Sequence, residues 1–258
     1  MIVVDSGLGG ISVVRALARL DPTRAITYVA DTAGFPYGAR SVDDINARAH
    51  RLITALLAQH PTPPVVLACN TLSTLCLDSL RSAFAVPFVG TVPAVKTAAQ
   101  VSTSHRFTLL ATPNTASSAY SRDLIVQFAS DCVVDNYGAP ELAAMAERMM
   151  LGQSVADDAL RAELAPAFFD DARGRTDSIV LGCTHYPLIT EALARVAPWP
   201  VTWIDSSNAI AKRALSLSES VSAQQASIAY VTRAEDVARY REVFAREGFA
   251  DVKALTLS

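Results

Sequence analysis

Short runs of branched apolar residues alternate along the chain with longer segments whose apolar positions recur at helical spacing. Residues 1–5 read as a strand that opens into Ser6-Gly7-Leu8-Gly9-Gly10, after which Ile11, Val14, Leu17 and Ala18 fall on one helical face. Further strands are expected at 25–30, 65–68 and 86–91. A long helix should cover 42–59, closed by Pro61, Pro63 and Pro64, and another should run from the turn at Cys69 to residue 83. After a helix over 92–104 the pattern starts again, with strands at 106–111, 131–135, 177–181 and 201–204. Helical segments are expected at 139–151 and 154–169, and Thr112-Pro113-Asn114-Thr115 is a turn able to cap the helix after it. The chain closes with a strand at 226–231, a helix at 234–246 and a strand at 252–255, able to pack back onto the first half. Repeated alternation of this kind predicts α/β architecture with mainly parallel sheets flanked by helices and right-handed crossovers.

Two strand ends echo one another. Val65 to Thr71 reads V-V-L-A-C-N-T, and Ile179 to Pro187 reads I-V-L-G-C-T-H-Y-P. In each, a buried run meets a small residue, then cysteine, then short polar side chains. The echo predicts two domains, 1–94 with 206–258 and 95–205, each contributing one thiol to a cleft between them. Open α/β sheets bind ligands beyond the carboxyl ends of their strands, where Asp5, Cys69 and Cys183 are all expected.

Composition narrows the partners. With 51% apolar and 18% charged residues the 258-residue chain reads as an ordered globular protein, and a net charge of −3 offers no general reason to bind nucleic acid or an anionic membrane. No apolar run approaches the length of a membrane span, and Met1 is followed at once by apolar residues without a basic leader, which points to the cytoplasm. Four scattered cysteines without a C-x-x-C pair read as free thiols.

A thiol just beyond a strand at a helix start ionises more readily than usual, because the helix N-terminus stabilises the thiolate. Two such thiols facing one carbon can act as base on one face and acid on the other, which is what stereoinversion requires. The alternative is that Cys69 and Cys183 are small buried core residues. Cys76 and Cys132 lack the setting and read as core packing. His185 can assist Cys183 or a carboxylate, or be a surface histidine. Asp5 can bias a thiol's proton, orient an ammonium group or cap the glycine turn, and Ser6, Asn70, Thr71 and Thr184 suit carboxylate binding as well as ordinary capping. Tyr37 and Gly38 lie in a loop able to reach an anion. Glu147 reads as a solvated charge on a helix. Zinc held by Asp5, Cys69, Cys183 and His185 is the rival use of the same residues, though structural zinc sites usually show close ligand pairs.

With these residues in hand, the chain resembles the cofactor-independent glutamate racemases of the aspartate/glutamate racemase superfamily. The matching segments are V-D-S-G-L-G-G at 4–10, A-D-T-A-G-F-P-Y-G at 30–38, A-C-N-T at 68–71, G-T-V-P-A at 90–94, L-L-A-T at 109–112, L-G-C-T-H-Y-P-L at 181–188 and I-D-S at 204–206. The resemblance implies two pseudo-symmetric α/β domains, a glutamate substrate and two-base chemistry by Cys69 and Cys183. It implies that Asp5 supports the first thiol and His185 the second, and that Glu147 lies near the site. Ser6, Tyr37, Gly38, Asn70, Thr71 and Thr184 match substrate-binding positions. It further implies a homodimer that needs no pyridoxal phosphate, other cofactor or metal and supplies D-glutamate for peptidoglycan. Gly34, Leu72 and Ser207 depart from the usual residues at their positions, and none is an acid/base position.

Overall fold

The computed structural model describes residues 1–60, 64–218 and 226–257. The chain enters through strand β1 (Ile2–Asp5), helix α1 (Ile11–Leu20), β2 (Thr27–Ala30), α2 (Val42–Gln59), β3 (Val65–Leu67), α3 (Asn70–Ala83) and β4 (Phe88–Gly90). It continues through α4 (Val95–Val101), β5 (Arg106–Ala111), α5 (Pro113–Ser117), α6 (Ala119–Phe128), β6 (Val133–Gly138), α7 (Leu142–Met150) and α8 (Asp157–Leu164). A short hairpin, β7 (Asp170–Asp171) and β8 (Gly174–Arg175), precedes β9 (Ser178–Gly182), α9 (Thr190–Val196) and β10 (Thr202–Ile204). Last come α10 (Ser207–Ser216), β11 (Ile228–Val231), α11 (Asp236–Arg246) and β12 (Asp251–Ala254).

These elements form two compact units, Met1–Thr91 with Ser207–Ser258, and Val92–Ser206. The first holds a six-stranded sheet in the order β12-β11-β2-β1-β3-β4, every neighbour parallel. The closing strands therefore extend this sheet, as the apolar runs near the end of the chain suggested. The second holds a parallel sheet in the order β10-β9-β5-β6. In both, the first strand of the series sits inside the sheet, the second lies on one side of it and the third on the other.

Helix α2 shows why the pattern is readable. Ser41 caps it by accepting the Asp44 N–H, Asp43 and Asp44 complement the positive end, and Ile45, Ala49, Leu52, Ile53 and Leu56 form its buried stripe. The residues expected to close it at 61 and 63 lie outside the described residues. Elsewhere the boundaries differ. Ala18 is exposed and the buried face of α1 is carried by Ile11, Val13, Val14, Ala16 and Leu17. The helix expected at 92–104 is only α4, because the Asp177 carboxylate captures the next turn: Ser102 Oγ donates to Oδ1 at 2.8 Å, and the Thr103 and Ser104 N–H groups donate to Oδ2 at 2.7 and 2.8 Å.

Burial would raise the pKa of Asp177, but hydrogen bonds led by the Ser104 N–H and the Ser102 and Ser178 hydroxyls outweigh it and bring the group down to about 2. A carboxylate lowered in this way stabilises the fold above its ordinary value of 3.8, and the contribution is lost as pH falls through about 2. Asp177→Asn is therefore expected to cost about 1 kcal/mol at pH 7, discounted for solvent screening, with the difference from wild type vanishing near pH 2. Urea unfolding across that range measures it.

Candidate active site

In the first unit the chain leaves β1 for β2 on one side and later returns to β3 on the other, so the crevice at the carboxyl ends of β1 and β3 is a topological switch point. Asp5 ends β1 and Ser6 follows it. Cys69 stands two residues beyond β3 as the N-cap of α3, with Asn70 and Thr71 in the first turn, and all five residues are buried. The Ala68 N–H donates to Val4 O at 2.8 Å. Thr91 Oγ1 donates to Leu67 O and Ala68 O at 2.8 and 2.9 Å, and Ser73 Oγ to Leu67 O at 2.9 Å. These two hydroxyls clamp the turn that carries Cys69. They were missed in the sequence because Ser and Thr have many uses and nothing in the spacing marks this one.

On the β1 side, Asp5 Oδ1 accepts the Gly7 N–H at 2.9 Å and the Tyr28 hydroxyl donates to Gly7 O at 2.8 Å. A Cβ on Gly10 would come within 2.8 Å of that hydroxyl and 3.0 Å of Ala68 Cβ, so close approach of β3 and the loop requires glycine there. Asn70 Oδ1 is buried without a hydrogen-bond partner among the described residues. An orphaned acceptor beside a thiol and a helix N-terminus suits a ligand that carries N–H groups.

Tyr37 and Gly38 lie in a one-turn 3-10 segment, Tyr37–Ala39. The Tyr37 hydroxyl, expected to be available to an anion, instead donates to Asp31 Oδ2 at 2.5 Å. Arg48 grips the same carboxylate with Nε on Oδ2 and Nη2 on Oδ1, each at 2.5 Å, and Thr232 Oγ1 adds a bond of 2.6 Å to Oδ1. Burial, reinforced by the charge of Asp31, pushes the Tyr37 phenol well above its ordinary 10, so it stays a donor. Asp31 and Arg48 thereby hold the loop, a role neither residue type announces. Gly34 closes around this knot: a Cβ there would sit 2.3 Å from Asp31 Oδ2 and 2.6 Å from Arg48 Nε. Gly34→Ala is expected to lose about 1–3 kcal/mol in urea unfolding through overpacking.

In the second unit the switch point lies between β5 and β9. Cys183 follows β9 directly. The residue before it must be small, since a Cβ on Gly182 would lie 2.9 Å from Leu109 Cδ1 and 3.1 Å from Leu110 O. Beyond Cys183 the chain bends through Thr184 and His185 into a 3-10 turn, Tyr186–Ile189, and only then into α9. The helix N-terminus expected to stabilise both thiolates is thus present at Cys69 and absent at Cys183.

A different device stands at Cys183. Its Sγ lies 3.8 Å from His185 Nδ1, and His185 Nε2 lies 2.8 Å from Glu147 Oε2. Thr184, His185 and Glu147 are all buried, so the reading of Glu147 as a solvated charge is wrong. It lies on the inward face of α7 with Leu142, Met145 and Ala146. Burial alone would lower the pKa of His185. The hydrogen bonds to Cys183 and Glu147 and the charges of both outweigh that and hold the imidazole well above its ordinary 6.5. An imidazolium donates to sulfur through Nδ1 and to the carboxylate through Nε2. Of the other cysteines, Cys76 is buried in the core and its thiol is pushed up to about 12 by burial. Cys132, expected in the core, is only half-buried.

The arrangement has counterparts. A model of the Asp/Glu/Hydantoin racemase family matches residues 11–214. A glutamate racemase of Brucella anthropi is 46% identical over 218 residues, 84% of this chain and 78% of its own length, and one of Sinorhizobium medicae is 47% identical over 84% and 80%. Among solved structures, Escherichia coli glutamate racemase in complex with L-glutamate and the activator UDP-MurNAc-ala superposes with a TM-score of 0.92 at 35% identity, covering 100% of this chain and 98% of that one. The glutamate racemase of Francisella tularensis in complex with D-glutamate gives 0.79 at 26% identity, covering 100% and 97%. Among the described residues no helix is long and apolar enough to cross a membrane.

Proposed function

The chain belongs to the Asp/Glu/Hydantoin racemase family, and from that membership we propose that it interconverts L- and D-glutamate by proton transfer through Cys69 and Cys183. One thiolate removes the α-proton and becomes a thiol, leaving the electron pair delocalised into the α-carboxylate. The other thiol returns a proton to the opposite face and becomes the thiolate, so the pair exchanges roles with the direction of reaction. The observation that best supports the assignment is the line Cys183, His185, Glu147, a buried ion pair aimed at a sulfur. Asp5 beside the Cys69 turn is assigned the corresponding service there. Ser6, Asn70, Thr71, Thr184 and the backbone of Tyr37 and Gly38 are assigned to the substrate's carboxylates and ammonium group, with the unpartnered Asn70 oxygen as its natural acceptor.

The D-glutamate formed is of use to peptidoglycan synthesis, in keeping with a homodimeric cytoplasmic enzyme whose proton transfer uses neither pyridoxal phosphate nor a metal. Sedimentation velocity reads the oligomeric state. Racemisation in heavy water, started from each enantiomer of glutamate, aspartate and a 5-substituted hydantoin, reads the chemistry. The expected result is turnover of glutamate, product fully deuterated at the α-carbon, and residual substrate that stays protiated early in the reaction. Product free of α-deuterium would exclude the two-thiol route, and preference for aspartate or hydantoin would change the substrate.

A further inference from the structure

The amino-terminal edge of the second unit's sheet, at the far end of its strands from Cys183, carries a separate group of donors. β5 and β6 are parallel neighbours with Arg106 paired to Val133, so the residues one step before them, His105 and Cys132, are also adjacent. His105 O accepts the Val133 N–H at 2.7 Å. Cys132 Sγ lies 4.0 Å from His105 Nδ1 and 3.8 Å from Asp131 Oδ1, and the three donor atoms all lie within 4.8 Å of one another.

The backbone that presents them is held firmly. His105 has φ of 53°, a left-handed conformation uncommon for residues other than glycine. Asp177 pins the two residues before it through their N–H groups, and the β5–β6 pairing pins the residue after it. An unfavourable backbone conformation fixed from both sides sets the direction of the imidazole. Cys132 is tied in turn by its N–H to Ala129 O at 3.1 Å.

We propose that His105, Asp131 and Cys132 form a zinc site, with water in the fourth position. One nitrogen, one carboxylate oxygen and one sulfur are the donor types that zinc accepts together, whereas calcium and magnesium take oxygen ligands. Bonds of about 2.0–2.3 Å in a tetrahedron place donor atoms roughly 3.3–3.6 Å apart. The two separations from Cys132 Sγ close to that range by about half an ångström and the His105–Asp131 separation by about an ångström, through side-chain rotation that half-buried and exposed side chains permit. The six residues of β5 extend about 20 Å, so an ion here lies too far from Cys183 to take part in proton transfer. Its effect is to tie the start of β5 to β6 and stabilise the folded state by mass action.

Cobalt titration of the full chain, followed by thiolate-to-cobalt absorption in the near ultraviolet and displacement by zinc, tests the proposal. The expected result is one equivalent bound with a thiolate band in wild type and in the Cys69→Ser/Cys183→Ser double variant, which removes the competing thiols. The band should be absent in Cys132→Ser. Affinity should fall at least about tenfold in His105→Asn, a residue that also tolerates the left-handed backbone. Zinc should raise the melting temperature of wild type and leave that of Cys132→Ser unchanged, while Cys132→Ser keeps wild-type racemisation. Absence of a cobalt band in wild type, or a band that survives Cys132→Ser and disappears in the double variant, would overturn the assignment.

Discussion

Cys183→Ser is expected to lower racemisation of both glutamate enantiomers by about 10²- to 10⁴-fold in kcat with little change in KM, and Cys69→Ser to do the same. A serine hydroxyl has nearly the size of a thiol but holds its proton far more tightly, so each variant retains one competent acid/base group. Inversion needs both. The remaining thiol should still exchange the α-proton of one enantiomer with solvent, so loss of racemisation with retained, enantiomer-specific exchange in heavy water is the diagnostic pair of results. Circular dichroism of the variants should match wild type. Cys76→Ala is the matched control: burial pushes that thiol up to about 12, it is protonated at neutral pH, and its loss should leave kcat unchanged while lowering stability. Near-wild-type turnover in Cys69→Ser or Cys183→Ser would remove that cysteine from the chemistry.

Glu147→Gln should act through His185 and show itself in pH dependence. Glutamate accepts the Nε2 proton and contributes a negative charge, and both raise the imidazole's pKa. Glutamine keeps an acceptor and removes the charge, so His185 loses its proton at lower pH than in wild type. The limb of kcat/KM that requires imidazolium is therefore expected to move toward acid. Activity above it falls about tenfold for each pH unit of displacement, while turnover on the acid side stays close to wild type. The stability effect carries the same sign. A histidine raised above its unfolded value stabilises the fold fully below that value, and the contribution is lost as pH rises through the folded value. The variant should thus be less stable than wild type near pH 6, and the two should converge at alkaline pH as the His185 contribution disappears from both. A uniform loss of activity with an unmoved profile would reduce Glu147 to a structural role.

The two thiol sites are stabilised by different physics, and this difference explains which parts of the site were readable in advance. Cys69 owes its setting to local sequence. A buried strand, a small residue, cysteine and then Asn70-Thr71 at the start of a fourteen-residue helix can be read from consecutive residues, because strand, turn and helix are each local. Cys183 has no such setting, since Pro187 follows within the first turn and the chain makes a 3-10 segment there. Tertiary structure supplied the replacement from α7, where Glu147 sits thirty-eight positions from His185. Charge on a helix surface and charge on its buried face look alike in sequence unless the apolar stripe is sharp. In A-P-E-L-A-A-M-A-E the alanines leave the stripe undefined.

The order of strands and helices, the long helix α2 and the cysteine turns were legible because hydrophobic periodicity, capping residues and strand-ending small residues act within one turn or one strand. The neighbours of each strand, the clamp of Thr91 and Ser73 on the Cys69 turn, the Asp31–Arg48 grip on Tyr37, the hairpin after α8 and the helix α10 were decided by the fold. These depend on groups that lie beyond one turn or one strand, from six positions apart for Ser73 and Leu67 to seventeen for Arg48 and Asp31 and more for the paired strands, and many sequences with the same pattern would satisfy them differently. Local spacing therefore marked the two strand-end thiols as candidates for proton exchange. Only the packed chain determined which charges surround them, and a thiol's readiness to give or take a proton depends on those charges.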